Sequence, residues 1–208
     1  MTSFPAIAPK LQKGSIIAID QATKQSTEIK FQYNPDTLTR RLTAQTASGN
    51  YDRSEAFRIK APPEETFSLE IEIDATDQLE VADSDTVSNG IHSKLAVLEL
   101  LLYPKSQVII ANETLAHNGI IEIVPAEAPL TLFSWGPNRI VPVRLSSFSI
   151  TEEAFDPNLN PIRARISLDL MVLNYMDLGL PSEGGRRFMA HQQKKEIMAK
   201  KAIANPGP

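Results

Sequence analysis

The stretch FSLEIEI, residues 67–73, decides the fold, because apolar and polar side chains alternate along it without a break. In an extended chain successive side chains point to opposite faces, so every second residue from Phe67 to Ile73 shares one face. The serine and the glutamates between them fall on the other face. We therefore predict a β-strand with one face in the core and the other in solvent.

An earlier part of the chain predicts a β-hairpin. Residues 15–20 (SIIAID) and residues 27–33 (TEIKFQY) are strand-like and flank a polar turn. Asn34 and Pro35 end the second strand, because proline donates no backbone hydrogen bond to a sheet. Residues 37–58 are more polar, and we expect a strand there with an exposed loop near residues 45–53.

Later segments add further strands to the same sheet. Residues 131–135 (TLFSW) predict a short strand, and residues 164–173 (ARISLDLMVL) predict a longer one with clean alternation. Residues 143–152 alternate with a mixed phase, so either both faces are half-buried or a bulge switches them.

Helical periodicity is strongest at residues 90–103, where apolar residues recur at helical spacing up to Pro104. This segment predicts one helix that packs on the sheet. The acidic residues 74–89 before it predict a solvated loop. We infer a mainly β fold: a β-barrel or sandwich with one inserted α-helix.

The C-terminal region differs in charge from the rest. Residues 181–208 hold six basic and two acidic residues, a net charge of +4, whereas the whole chain carries −4. The sequence predicts a β domain over residues 1–180 and a basic tail or helix over residues 181–208. We expect the tail to fold fully only against a partner. Because the preceding body is acidic, a protein-docking tail is favoured over a nucleic-acid surface.

The sequence offers no constellation for catalysis, for a metal or for another cofactor. The chain has no cysteine, and His92, His117 and His191 lack the spacing of metal ligands. The acidic loop lacks the central glycine and the ligand spacing of a calcium loop. We therefore predict a non-enzymatic protein.

Paired carboxylates do not change that prediction. Glu64 and Glu65, like Glu152 and Glu153, are adjacent in sequence, and adjacent strand residues point to opposite faces. Neither pair can therefore flank one bond of a substrate, and we interpret both as solvated. No run of about 18 apolar residues occurs, so we also expect no membrane span.

Three motifs in order resemble a known family. They are FQYNPDTL at residues 31–38, LFSWG at residues 132–136 and FDPNLNPIRA at residues 155–164. Together with FSLEIEI, they resemble the tube-like domain of contractile injection system proteins, which are found in phage baseplates and extracellular injection particles. The resemblance spans roughly residues 15–175.

The resemblance implies a structural role. It implies an inner-baseplate or tube-initiator subunit that couples the spike hub, the inner tube and the baseplate, as a homo-oligomer expected to be a hexameric ring. It also implies assembly in the cytoplasm as part of a phage-tail-like particle, which is either docked on a membrane or released. Many relatives continue into a LysM module, whereas here only a short basic segment follows residue 180, so we expect no LysM module.

Several residues are candidates for contacts between subunits. For Arg163, an inter-subunit carboxylate and a local hydrogen bond to its own turn remain equally open. An alternative function is a carbohydrate- or peptidoglycan-binding accessory module, which would need a solvent-facing aromatic platform; Trp135 lies in an apolar strand and is expected to be buried. The candidate contact residues are Asn34, Pro35, Arg163, Arg186, Arg187, Lys194 and Lys195.

Overall fold

The computed structural model describes residues 11–21, 23–46, 59–117 and 128–205 of the chain. The strands are β1 (Ser15–Ile19), β2 (Ser26–Lys30), β3 (Leu38–Thr46), β4 (Ile59–Asp74), β5 (Leu130–Ser134), β6 (Ile140–Phe155) and β7 (Pro161–Val172). The helices are α1 (Thr76–Glu80), α2 (Ser84–Asn89), α3 (His92–Glu99), α4 (Ser106–His117), α5 (Tyr175–Leu178) and α6 (Glu183–Ala204).

The described strands form one antiparallel sheet in the order β2-β1-β5-β6-β7-β4-β3. The mainly β fold is therefore confirmed. The sheet is open and not a closed barrel, because β2 and β3 each pair on one side only within the described residues.

The open sheet is nevertheless strongly curled. Phe67 of β4 and Phe133 of β5 lie in contact, with ring centroids 5.3 Å apart, although β6 and β7 lie between β4 and β5 in the sheet. Gln32, just after β2, donates from Nε2 to the carbonyl of Asp74 at the end of β4 (2.8 Å) and accepts from its N–H (3.1 Å). Because of this curl, one face of the sheet is enclosed as in a barrel, which is the feature that the sequence pattern indicated. Among the described strands, however, no pair closes the cylinder.

The predicted central strand is confirmed in detail. Phe67, Leu69, Ile71 and Ile73 are all less than 10% exposed. The mixed phase of β6 has one of its two predicted causes, a bulge, because the pairing of β6 with β7 shifts register between Leu145 and Ser147 and again near Ala154. A bulge changes which side chains face the core, and the strand continues beyond it.

The segment between β4 and β5 is more helical than expected. The predicted acidic loop contains α1 and α2, and the predicted single helix is α3, which ends at Glu99 before Pro104. A further helix, α4, follows it. Asp83 explains α2: its carboxylate accepts from the N–H of Thr86 at 3.0 Å and so caps the helix.

The C-terminal helix packs on the chain's own sheet. Ser182 caps α6 by accepting from the N–H of Gly185 at 2.9 Å, and the helix lies against β6. Phe188 and His191 are buried there. The expectation that this region folds only against a partner is therefore wrong for the first half of α6, because the sheet covers its apolar face.

One expectation falls largely outside the described residues. The loop near residues 45–53 is described only to Thr46, where β3 ends. No helix in the described part of the chain is long and apolar enough to cross a bilayer.

Candidate functional site

Asn34 and Pro35 lie where the chain leaves β2. The Asn34 amide accepts from the N–H of Gly14 and donates to the carbonyl of Gln12, both at 2.8 Å. Asn34 thereby fixes the segment before β1 beside the hairpin, and Pro35 is half-buried next to it. The structure gives the Asn34 side chain a role within the chain; a role between subunits stays a prediction.

Arg163 joins two neighbouring strands. It extends from β7 to Asp74 of β4, with Nη2 and Nε at 2.6 and 2.7 Å from one carboxylate oxygen, and Glu72 lies 3.7 Å away. The guanidinium thus pairs within the chain, and not with its own turn. A hydrogen bond from Thr76, more than the ion pair, holds the pKa of Asp74 below its usual value, and the hydrogen bond that Arg163 donates to Asp74 raises the pKa of Arg163.

The turn that precedes Arg163 is fixed by one carboxylate. Asp156 accepts from the N–H groups of Asn158 and Asn160 at 2.7 and 2.8 Å, and from the Asn160 amide at 2.9 Å. The carbonyl of Pro161 accepts from the N–H of Ile91 at 2.8 Å. The turn between β6 and β7 therefore also positions the start of α3.

The four basic candidates on α6 all make contacts inside the chain. Arg186 donates to the carbonyl of Pro181, and Arg187 lies 3.2 Å from Glu183 one turn earlier. Lys194 donates to the carbonyl of Pro137 at 2.5 Å.

Lys195 reaches a buried carboxylate that our sequence interpretation treated as solvated. Glu65 of β4 is only 4% exposed, and Lys195 Nζ lies 3.3 Å from its Oε2. Arg40 of β3 approaches the other carboxylate oxygen at 2.6 Å. The alternation along the central strand could have predicted that Glu65 is buried, because Glu65 lies two residues before Phe67 and therefore on the same face of β4.

Two more residues complete what we call the Glu65 cluster, defined as Arg40, Glu65, Arg139, His191 and Lys195. The guanidinium carbons of Arg139 and Arg40 lie 5.5 and 6.0 Å from the ring centroid of Phe67. His191 is 7% exposed, and its Nδ1 has no hydrogen-bond partner within the described ranges. The cluster joins β3, β4, the β5–β6 turn and α6.

The charges of the cluster are mutually dependent. Burial alone would raise the pKa of Glu65, but the hydrogen bond from Arg40 and the charge of Lys195 outweigh it and hold the pKa below its usual value. Burial, reinforced by the charge of Lys195, lowers the pKa of His191 to about 4. His191 is therefore neutral near pH 7, and the cluster holds three cations and one carboxylate.

Trp135 does not form a solvent-facing platform. Its ring stacks on Phe133 with centroids 6.0 Å apart, and it is half-buried, where we expected it to be buried. His92 and His117 are exposed. Across the described ranges, no three histidine or carboxylate side chains come together as a metal site would require.

A separate surface is strongly apolar. None of the residues of α4 is buried. We define the apolar patch as five exposed residues, three in the segment between α3 and α4 and two on α4, which are Leu100, Leu102, Tyr103, Ile109 and Ile110. Tyr103 and Ile110 each keep 66% of their surface exposed. A patch of this kind on a folded chain typically marks a protein contact.

One comparison with known proteins agrees with the motifs. No curated protein gives a match to this chain. The family model described as contractile injection system tube protein matches residues 10–175. That range contains the curled sheet, the inserted helices and all three motifs, and it covers most of the chain, so the chain belongs to the contractile injection system tube protein family and is a structural component of a phage-tail-like particle.

Proposed function

We propose that this chain is an inner-baseplate or tube-initiator subunit, which couples the spike hub, the inner tube and the baseplate of its particle. A tube subunit needs surfaces for its ring neighbours, and a coupling subunit needs a further surface for proteins of another kind. The apolar patch is the observation that carries the proposal, because the inserted helices present it in addition to the strand edges.

Strand edges support assembly into a ring. Both β2 and β3 keep one side of their backbone unpaired within the described residues. Such edges readily pair with a strand of another chain. When the edge of one copy meets a different edge of the next, the contact is head-to-tail and can close into a ring, which we propose to be a hexamer assembled in the cytoplasm.

The apolar patch supports a further neighbour. Exposed side chains such as Ile109 and Ile110 gain roughly 25 cal/mol for each Å² of apolar surface that a partner covers. We propose that a hub or baseplate protein covers this patch in the particle.

The test is incorporation into particles. The chain is co-expressed with the spike hub, tube and sheath proteins of its own system, and particles are purified and analysed by mass spectrometry. We expect the double variant I109S/I110S to fold but to be depleted from particles. The control E113Q changes an exposed residue of the same helix and should assemble normally. Normal incorporation of the double variant would contradict the proposed role of the patch.

A further inference from the structure

The Glu65 cluster contains more positive charge than the described residues neutralise. In the described part of the chain, Glu65 is the carboxylate that pairs with both Arg40 and Lys195. Arg139 has the ring of Phe67 beside it but no ion pair with any described residue. With His191 neutral, the cluster carries two positive charges in excess, although the whole chain is acidic.

This excess is partly removed from water. Glu65 and His191 are buried, and burial together with the charge of Arg40 lowers the pKa of Arg139. Cations held together away from solvent repel each other unless an anion lies among them. The arrangement therefore favours one more negative group.

The cluster is open to such a group. The side chains of Arg40 and Lys195 keep 32% and 29% of their surface exposed, and Arg139 is half-buried. A guanidinium offers a planar pair of N–H donors that matches a carboxylate. Arg139 can therefore accept a carboxylate without breaking an existing ion pair.

The location indicates where the carboxylate comes from. Arg40 lies on β3, whose outer side pairs with no strand among the described residues, and it stands opposite Phe67 of β4 in the sheet. Residues that are paired across neighbouring strands point to the same face, with Cβ atoms about 5 Å apart. A strand added to β3 would place one side chain opposite Arg40, on the face that carries Phe67 and Glu65.

We propose that the Glu65 cluster accepts an aspartate or glutamate side chain from a strand of a neighbouring subunit that pairs with β3, and that Arg139 is its main ligand. This inference rests on the proposed function, since it requires assembly. The proposal means that a strand pairing with β3 must also carry an acidic side chain opposite the cluster, and this requirement would select which strand pairs there.

A cross-linking experiment on assembled particles tests the proposal. In R139K the amine can form an amide with a carboxylate that lies against it when a carbodiimide is added. We expect mass spectrometry to find position 139 joined to an acidic residue of another polypeptide. Cross-links to Glu64 or Glu65 of the same chain alone would overturn the proposal.

Incorporation of R139Q provides the second readout. We expect it to enter particles at least about tenfold less well than wild type, whereas R144Q, which changes an exposed arginine of β6, should enter normally. Normal entry of R139Q overturns this proposal alone. Absence of the wild type from particles overturns the proposed function, and this proposal with it.

A free anion is the other source of the same chemistry. The isolated chain is therefore heated with and without inorganic phosphate. We expect phosphate at millimolar concentration to raise the unfolding temperature of wild type and of R139Q equally. A rise confined to the wild type would assign the cluster to a free oxyanion and overturn the partner proposal.

Discussion

Glu65 of β4 and Lys195 of α6 lie 3.3 Å apart, although 130 residues separate them along the chain. This ion pair, with Arg40 on the other carboxylate oxygen, fastens the C-terminal helix to the strand next to the sheet edge. The basic C-terminal region and the acidic body are therefore parts of one packed structure.

Loss of the Glu65 carboxylate should destabilise the fold. In E65Q, Arg40 and Lys195 lose their shared partner while the site stays buried, which costs about 3 kcal/mol of unfolding free energy. The neighbouring E64Q is the matched control, because Glu64 is exposed, and it should change the free energy by less than about 0.5 kcal/mol. Urea unfolding measures both variants, and equal values for the two would contradict the assigned burial.

Acid should weaken the fold through His191. Its pKa of about 4 lies below the value near 6.5 of an unfolded chain, so the unfolded state binds the proton first as pH falls. Stability should then drop between about pH 6.5 and pH 4, by roughly 2 kcal/mol after allowance for solvent screening. Arg40, Arg139 and Lys195 oppose the new charge, and Glu65 favours it.

The control for the acid effect is H191Q, which cannot titrate. Its unfolding free energy, measured by urea at a series of pH values, should be flatter than that of wild type between pH 6.5 and pH 4. Protonation of Glu65, whose pKa is lowered, adds a loss at still lower pH in both proteins. Identical pH profiles for the two proteins would show that His191 is not buried in the neutral form.

The first half of α6 should matter to stability and the second half should not. Phe188 is 8% exposed and contacts Tyr175, whereas Ile197 is 55% exposed. F188A should cost about 3 kcal/mol, and I197A less than about 0.5 kcal/mol. Thermal unfolding of the isolated chain compares them. A negligible effect of F188A would contradict the packing of α6 on the sheet and would support a C-terminal region that folds fully only against a partner.

Gly90 should tolerate no side chain. Its φ is +56°, and a Cβ atom there would lie 2.2 Å from the carbonyl oxygen of Pro161. We expect G90A to cost more than about 3 kcal/mol, because backbone strain adds to a collision with another backbone segment. Gly136 shares a positive φ of +70°, but the nearest atom to a Cβ there would be the side-chain oxygen of Gln12, at an ordinary contact distance of 3.4 Å, so G136A should cost about 1 kcal/mol. Similar losses for both would contradict the close packing of the β6–β7 turn on α3.

Strand periodicity predicted much of the fold, since alternation identified β4 and β7, and the mixed phase of β6 left its bulge as one of two explanations. The short helices α1 and α2 were missed because five or six residues are too few to display a helical period. The Asp83 cap was the signal that could have revealed α2.

The Glu65 cluster was harder to predict than the strands. The parity of Glu65 with Phe67 was visible in the sequence, but its partners come from β3, a turn and α6. Only the curl of the sheet brings these segments together. The inter-subunit candidates on α6 are accordingly engaged within the chain, whereas Arg139, which no motif identified, has no ion pair among the described residues.

The most direct test of the central claim is electron cryo-microscopy of intact particles that contain this chain. We expect a ring of copies around the central channel between spike hub and tube, with the apolar patch covered by a hub or baseplate protein. The proposed coupling role would be wrong if particles assemble and contract without the chain, or if they carry it only at a peripheral position with the patch in solvent.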